Sequence, residues 1–271
     1  VNGKLNFGKS EISFYYGTNQ QYFEELWYKR TETFTFEDGS QYHRHQQTET
    51  VYSKGYDGNG GLTYNLQDGN KYMLNITAKL NHGADPTREE KGKLYTEEYP
   101  ELVTDRIDMY HGSDFTPSLD IYYQRNLKNK QFLAFNAVGT YMRTTRQSQY
   151  KEFLNNEPIV DYTSSVKGKK YSLIAEGIYE KSFANGGRLN TGIKHTQSYT
   201  NNLYDGTLFY HTQMRQAVSY GYVQYNGRWQ KLRYGFGVGA TRSWFHQDGQ
   251  KEYEKWSFNP RFNLSYTFNN H

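Results

Sequence analysis

The segment Trp256–Phe268, which reads WSFNPRFNLSYTF, decides the fold class of the chain. Its even-numbered positions carry Trp, Phe, Pro, Phe, Leu, Tyr and Phe, and its odd-numbered positions carry Ser, Asn, Arg, Asn, Ser and Thr. Because successive side chains of a β-strand point to opposite faces, one face would be apolar and aromatic and the other polar. The segment is also longer than the five or six residues that are typical of a strand.

The same period of two recurs along the chain. It is clearest at Leu232–Ala240, Lys71–Asn81 and Leu133–Tyr141, where apolar and polar or small residues alternate. Shorter or less regular versions lie at 1–7, 12–16, 62–66, 119–123, 171–180, 189–196 and 218–222. Together these segments predict an all-β protein with an antiparallel meander of about eleven long strands.

The composition excludes several classes of protein. The 271 residues include 28 Tyr, and aromatic residues make up 18%, which is far too many for a disordered chain. Yet hydrophobic residues make up only 35%, and a mean hydropathy of −1.00 is too polar for one large dry core. The absence of Cys excludes disulfides and Cys-based zinc sites. A net charge of +4 gives no reason to expect a nucleic-acid partner.

No run of apolar residues is long enough for a transmembrane helix. The N-terminus lacks the basic start and apolar run of a signal peptide, so the chain is either not secreted or a mature or internal piece.

Short and long connections are predicted to alternate. Tight-turn signals such as Asp68-Gly69 and Asn226-Gly227 centre near residues 9, 68, 128, 185 and 227, with a sixth at Asn269-Asn270. Longer polar stretches occupy 30–47, 81–107, 148–168, 200–212 and 246–254. We therefore expect short turns on one rim of the sheet and long loops on the other.

This pattern predicts part of a transmembrane β-barrel of the outer-membrane type. The apolar face would meet lipid, and the polar face would line a wet lumen, so the overall hydropathy stays low. Tyr, Trp and Phe suit the two interfacial girdles of such a barrel. The alternatives are a soluble all-β carbohydrate-binding module and a smaller non-receptor barrel with a structural or enzymatic role.

The strand count bears on domain organisation. Single-chain bacterial barrels have an even number of strands, whereas about eleven are counted here. We therefore interpret residues 1–271 as a single partial barrel domain.

Two short phrases carry a resemblance to a known family. The segment Phe258–Asn269 resembles a mid-barrel strand of TonB-dependent receptor-like outer-membrane proteins of the Bacteroidota type, and the phrases Gly3–Lys9 and Ile12–Gly17 are similar to an early hairpin of that barrel. Alternatively, 264–268 is a true C-terminal strand of a smaller, nearly complete barrel.

The resemblance implies an internal fragment of a barrel of about 22 strands in the cell outer membrane. The plug domain of such proteins has no counterpart in residues 1–271, so the plug domain is expected to be absent from this domain. Its implied function is TonB-dependent nutrient uptake with an unknown substrate. The implied partners are outer-membrane lipid, the remaining strands and plug domain, the TonB complex acting through the plug, and a surface substrate-binding lipoprotein.

No catalytic motif is present, so we expect no enzyme, no cofactor and no catalytic or metal-binding residue. His43 and His45 would share one face of a strand, but no third metal ligand is indicated. Asp85, Asp105 and Asp108 lack calcium-loop spacing and read as ordinary acidic loop residues.

Other polar and aromatic residues of the long segments remain open candidates, and no substrate-binding residue is assigned. The acidic pairs Glu89-Glu90 and Glu97-Glu98 read either as ligand contacts or as a solvated loop. Aromatic residues that might stack on a ligand, or simply pack between loops, are Tyr95, Tyr99, Tyr204, Phe209 and Tyr210. Cationic residues expected to face the lumen are Lys71, Lys79, Arg233 and Arg261.

Overall fold

A computed structural model describes residues 1–24, 27–207 and 209–268. The predicted turn at Asn269-Asn270 lies outside these residues. The chain is all-β, with the strands β1 Asn2–Phe7, β2 Ser10–Phe23, β3 Tyr28–Thr35, β4 Gln41–Asp68, β5 Tyr72–Thr96, β6 Thr104–Leu127, β7 Gln131–Leu154, β8 Glu157–Ser182, β9 Arg188–Gly206, β10 Tyr210–Trp229, β11 Leu232–Gln247 and β12 Tyr253–Tyr266.

The strands form one open antiparallel meander. Each strand pairs with its neighbours in chain order, except that β2 and β3 both pair with β4. β2 covers the second half of that partner, from Ser10↔Leu66 to Phe23↔Ser53, and β3 covers the first half, from Tyr28↔Thr48 to Thr35↔Gln41. Because β2 and β3 follow one line, the sheet is eleven strands wide. The predicted fold class, an all-β antiparallel meander of long strands, is confirmed.

The cross-strand register joins the separate apolar stripes into one continuous surface. Leu62 partners Ala78, which partners Leu119, which partners Gly139, which partners Leu173. Directly opposed residues of neighbouring strands point to the same side of a sheet. We call this side the apolar face and the other side the polar face.

Two rows of aromatic rings bound the apolar face. In the upper row, the ring centroids of Tyr141 and Tyr171 are 4.9 Å apart, and those of Tyr171 and Tyr199 are 6.3 Å apart. The lower row includes Tyr179, which lies eight residues beyond Tyr171 on the same face of β8, and Tyr225. Eight residues of a strand span about 26 Å, which is close to the height of about 25 Å of the apolar band in outer-membrane barrels.

The sheet does not fold over a dry interior. Among the described residues, the buried hydrophobic side chains are Val51, Leu94 and Ala134, whereas Phe258 and Phe262 are 72% and 75% exposed. All strands of the described chain belong to one sheet, so no second sheet covers the apolar face. An exposed apolar surface of this extent calls for an apolar environment. Within the described chain, no helix has the length and hydropathy to cross a membrane.

The connections at one rim, which we call the turn rim, follow the predicted chemistry. Gly8, Gly69 and Gly186 have positive φ angles of 60°, 49° and 80°, and Asn129 has 59°, as tight turns require. Asn226 and Gly227 were predicted to form such a turn, and this is wrong. They lie inside β10, and the chain turns at Gln230 and Lys231 instead.

Gly227 has a packing role rather than a turn role. The ring of its cross-strand partner Tyr234 occupies the space that a side chain on Gly227 would need. Glycine is therefore required at this position by the neighbouring aromatic ring.

The prediction of long loops at the opposite rim, the far rim, is also wrong. Most of the five polar stretches are strand: β7 continues to Leu154, and only Asn155 and Asn156 separate it from β8. These strand ends are polar on both sides, so they lack the apolar alternation by which a half-buried strand is recognised. The strands therefore project well beyond the upper aromatic row. On β7 this extension runs for thirteen residues after Tyr141.

Irregular pairing in β5 changes which residues face which side. Between Asp85 and Arg88, three steps along β5 match the two steps from Gly112 to Tyr110 on β6. Asp85 and Arg88 consequently point to the same face although one number is odd and the other even. Beyond this bulge, the even-numbered residues of β5, including Glu90, point to the polar face.

Candidate functional site

The projecting ends of β3 to β7 carry a compact group of charged and phenolic side chains on the polar face. We call it the far-rim cluster, and its members are Tyr28, Glu32, Arg44, Arg88, Glu90, Arg106, Asp108, Tyr150 and Glu152. They come from positions that the register places opposite or diagonal to one another. The cluster is a candidate site because buried charges are rare unless they are paired.

Glu90 lies at the centre of the cluster and is only 6% exposed. Its Oε1 accepts hydrogen bonds from Arg88 Nε and Nη2 at 3.1 and 2.7 Å. Its Oε2 accepts hydrogen bonds from the Tyr28 hydroxyl at 2.8 Å and from Arg106 Nη2 at 3.1 Å. Both carboxylate oxygens are therefore held by donors from three different strands.

Arg106 links Glu90 to the neighbouring strands and is also 6% exposed. Its Nη2 donates to Asp108 Oδ2 at 3.1 Å as well as to Glu90. Its guanidinium group lies 5.8 Å from the centre of the Tyr150 ring, and the Tyr150 hydroxyl donates to Glu152. Arg106 thus has a carboxylate on each side and an aromatic ring beside it.

A second ion pair extends the cluster towards β3. Arg44 Nε and Nη2 donate to Glu32 Oε2 at 2.9 and 2.5 Å, and the two residues are cross-strand partners. Between the two ion pairs, the Gln46 amide donates to Thr48 Oγ1 at 3.1 Å, and Thr48 is almost fully buried. The polar atoms of this region therefore have partners within the sheet.

The electrostatics favour charged carboxylates and a neutral phenol. Burial by itself would raise the pKa of Glu90, but the hydrogen bonds and charges of Arg88, Tyr28 and Arg106 hold the pKa below its ordinary value. The hydrogen bond from Arg44 is the main reason that the pKa of Glu32 is also lowered. Burial, followed by the hydrogen bond to Glu152, raises the pKa of Tyr150. At neutral pH, Tyr150 therefore keeps its hydroxyl proton as a donor.

An open cavity of about 630 Å³ adjoins the cluster on the polar face. Its walls come from β5 to β8 and are made of Asp85, Arg88, Glu90, Asp108, Tyr110, Arg146, Ser148, Tyr150 and Tyr162. Carboxylates, guanidinium groups and phenolic hydroxyls converge here, so the cavity offers both donors and acceptors to a polar ligand. The sequence analysis missed the site because its members are spread over segments expected to be loops.

The predicted His pair is placed as its spacing implies. His43 and His45 lie on one face of β4, and their Nδ1 atoms are 3.1 and 3.0 Å from the hydroxyls of Thr33 and Thr31. His45 Nε2 is 3.3 Å from Glu97 Oε1, and its ring stacks on Tyr95. The described part of the chain contains no group of three or more His, Asp or Glu side chains arranged for a metal ion.

The predicted acidic candidates are divided between the two faces. Asp108 and Asp85 lie on the polar face beside the cavity, whereas Asp105 partners Lys93 on the other face. Glu90 joins the cluster, but Glu89 points away from it and pairs with Lys91 at 2.6 Å. Glu98 lies in the connection between β5 and β6.

The remaining candidates are also dispersed. Tyr204 and Tyr210 are cross-strand partners with ring centroids 6.1 Å apart, and Phe209 beside them is exposed. Tyr99 is an exposed residue of the connection after β5. The residues expected to face a lumen were Lys71, Lys79, Arg233 and Arg261; the last three lie on the polar face, and Lys71 lies in the turn before β5.

Closer to the turn rim, the polar face is lined with hydrogen-bonded amides and hydroxyls. Asn75 Nδ2 donates to Asn65 Oδ1 at 2.5 Å, and Asn65 Nδ2 donates to Glu11 Oε1 at 3.2 Å. Thr63 and Thr77 share a hydrogen bond of 3.2 Å. This lining crosses the sheet from β2 to β5, so the polar face is hydrophilic behind this part of the apolar band.

Comparison with known proteins gives one distant structural match. The solved structure of the outer membrane protease OmpT from Escherichia coli is similar to this chain at 10% sequence identity, with a TM-score of 0.30 over 97% of this chain and 99% of that chain. No protein-family model matches the sequence. No curated protein matches it either.

The OmpT match requires one correction. The absence of catalytic motifs led to the prediction that the chain is no enzyme. This prediction is wrong, because the solved structure to which the chain is similar is that of a protease. At 10% identity and a TM-score of 0.30, the match transfers neither an activity nor a residue to the chain.

Proposed function

We propose that the chain is part of the wall of an outer-membrane receptor barrel that takes up a nutrient, of the TonB-dependent type that its sequence resembles. The observation that carries the proposal is the continuous apolar face between two aromatic rows, backed by a polar face. Such a sheet is stable where lipid hydrocarbon covers one side and water wets the other. In this proposal the protein lies in the cell outer membrane.

In this proposal the far-rim cluster binds the ligand before the ligand enters the barrel. The projecting strands lift Glu90 and Arg106 well beyond the apolar band, on the side that faces the passage. The adjoining cavity presents cationic and anionic groups together, which suits a polar ligand with hydrogen-bonding groups of both kinds. The chemical identity of the nutrient is left to experiment.

The proposal also assigns partners to the full-length protein. Further strands complete the barrel, a plug domain fills it, and the TonB complex acts through that plug. A surface lipoprotein that captures the nutrient is a fourth partner. These partners would supply the closure and the energy that directional uptake needs, while this chain supplies the wall and the outer contact surface.

Spin labels on adjacent residues test the membrane orientation. The chain has no Cys, so single Cys substitutions can be labelled without a background. Ile193 is exposed on the apolar face, and Lys194 beside it lies on the polar face with Glu176 and Tyr220. In reconstituted vesicles, the label at Ile193→Cys should be more accessible to oxygen, and the label at Lys194→Cys to a water-soluble nickel complex. Equal access of the nickel complex to both labels would identify a soluble module.

Growth experiments test the uptake function. Cells that lack the gene are grown on limiting amounts of iron chelates, vitamins, glycans or peptides, one nutrient class at a time. These cells should grow poorly on one of the four classes. Cells that lack the TonB complex should show the same defect, because uptake against a gradient needs that energy source. Normal growth on every class, or uptake that persists without the TonB complex, would refute the proposed function.

A further inference from the structure

The apolar face of β6 to β9 contains a groove directly below the upper aromatic row. The groove has a volume of about 590 Å³, with Leu119 and Leu173 on its sides and Tyr141 and Tyr171 at its upper end. Gly139 forms its floor, and no atom lies within 4 Å of the position that a Cβ there would occupy. The groove is therefore an apolar depression open to whatever covers this face.

Cationic side chains lie immediately above the groove on the same face. Arg143 lies two residues after Tyr141, Lys169 lies two residues before Tyr171, and the two cationic residues are direct cross-strand partners on the far-rim side of the upper aromatic row. Lys167 lies two residues further towards the far rim. Arg215 is next to them and stacks over Tyr199 at 5.6 Å. All four side chains are exposed.

This arrangement leaves positive charge without a balancing partner. Like charges on directly opposed strand residues destabilise a sheet. In the described chain, none of the four cationic residues forms an ion pair. A second open cavity of about 580 Å³ lies among them, with walls that include Arg143, Lys167, Lys169, Asn201 and His211. A bound anion would balance these charges.

We propose that this surface binds a phosphate-bearing lipid of the outer leaflet. Its phosphate would lie between Arg143, Lys169 and Lys167, and an acyl chain would lie in the groove over Gly139. The cationic residues are about 7 Å beyond the aromatic row, at two residues of strand rise, which is the level of a lipid headgroup above an interfacial girdle. The inference rests on the proposed function, because the apolar face must meet the bilayer.

The joint presence of the two cavities favours a lipid over free phosphate. A free anion would use only the upper, cationic cavity and would leave the apolar groove uncovered. An amphiphilic anion matches both, since its headgroup and chain are separated in the same order as the charges and the groove. We name the two cavities together the lipid site.

Native mass spectrometry of the chain, released from nonionic detergent, tests the lipid site. The probes are a lipid A with two phosphates and, for comparison, phosphatidylcholine. The double variant Arg143→Gln/Lys169→Gln should bind lipid A roughly tenfold more weakly or worse, because two charge-assisted contacts are lost. Lys170→Gln is the matched control, since it removes the same charge from the adjacent residue on the polar face. An equal loss in the control would overturn the inference.

A second variant separates the acyl-chain contact from the phosphate contact. Gly139→Leu should fill the groove without a clash and weaken lipid A binding while all cationic residues remain. Inorganic phosphate in large excess should not displace the lipid. Displacement by inorganic phosphate, or full binding by Gly139→Leu, would refute a lipid site. Strand content measured by circular dichroism verifies that each variant is folded.

These outcomes are distinct from failure of the proposed function. If the chain inserts into neutral vesicles with the expected labelling pattern but shows no preference for lipid A, only the lipid site is refuted. If the chain does not insert, the membrane orientation itself is refuted.

Discussion

Glu90 and Arg106 form a hydrogen-bonded ion pair of 3.1 Å across two strands, with both residues only 6% exposed. Removing one partner of a buried pair leaves the other without compensation. Arg106→Met should therefore lower the free energy of unfolding by about 3 kcal/mol. Urea unfolding in lipid vesicles, followed by tryptophan fluorescence, measures the change.

Arg146→Met provides the control for this experiment. Arg146 lines the same cavity but is exposed, so its replacement should change the free energy of unfolding by about 0.5 kcal/mol or less. Similar losses in both variants would show that the ion pair is not the stabilising element.

The lowered pKa of Glu90 predicts a local pH dependence. Because the folded-state pKa lies below the ordinary value of 4.5, the stabilisation by this carboxylate is complete above that pH and is lost as the pH falls through the folded-state pKa. The protection of amides 88–92 and 104–108 from hydrogen exchange, relative to their intrinsic exchange rates at the same pH, should decrease over that range. Glu90→Gln should show weaker protection at neutral pH and little further change on acidification. An unchanged acid response in this variant would assign the effect to another group.

Gly227 and Tyr234 should be energetically coupled. A methyl group on Gly227 would occupy the position of the Tyr234 ring, so Gly227→Ala should cost about 1 kcal/mol or more by overpacking. The double variant Gly227→Ala/Tyr234→Leu should recover part of the loss, because the smaller side chain leaves room. Gly139→Ala is the control, since the space around it is open. Additive effects in the double variant would contradict the proposed contact.

The turn between β6 and β7 contains a strained residue. Asn129 and Lys130 have φ angles of 59° and 55°, and a side chain other than Asn or Asp is disfavoured in this region. Lys130→Gly should therefore stabilise the folded chain by about 0.5–1 kcal/mol. Lys128→Gly should destabilise it, because Lys128 is not among the positive-φ residues of the described chain and gains only unfolded-state freedom. Unfolding midpoints in urea compare the two variants, and equal shifts would contradict the prediction.

Sequence reasoning succeeded where one side of a strand is apolar. The alternation at Leu232–Ala240 and Trp256–Phe268 predicted both the strands and the faces that their side chains occupy, because only a period of two segregates such residues. The turns at Gly69 and Gly186 followed from residues that tolerate positive φ. In these regions local chemistry and the long-range register agree.

It failed where both sides of a strand are polar. The strands beyond the upper aromatic row have no alternation, so 148–168 and its equivalents read as loops. The far-rim cluster was missed for the same reason, since Glu90 and Arg106 meet only through pairing between extensions that were not recognised as strands. At Asn226-Gly227, the turn prediction failed because the pairing of β10 with β11 continues to Trp229↔Leu232, which places the turn at Gln230 and Lys231.

The bulge between Asp85 and Arg88 holds one extra residue of β5. Deleting Thr87 would therefore give a regular strand in which Arg88 still opposes Tyr110 and Glu90 keeps the polar face. Deleting Glu89, beyond the bulge, would instead move Glu90 and every later residue of β5 to the opposite side of the sheet. A change of one residue should thus be tolerated at the bulge, whereas elsewhere in β5 it would exchange the polar and apolar faces.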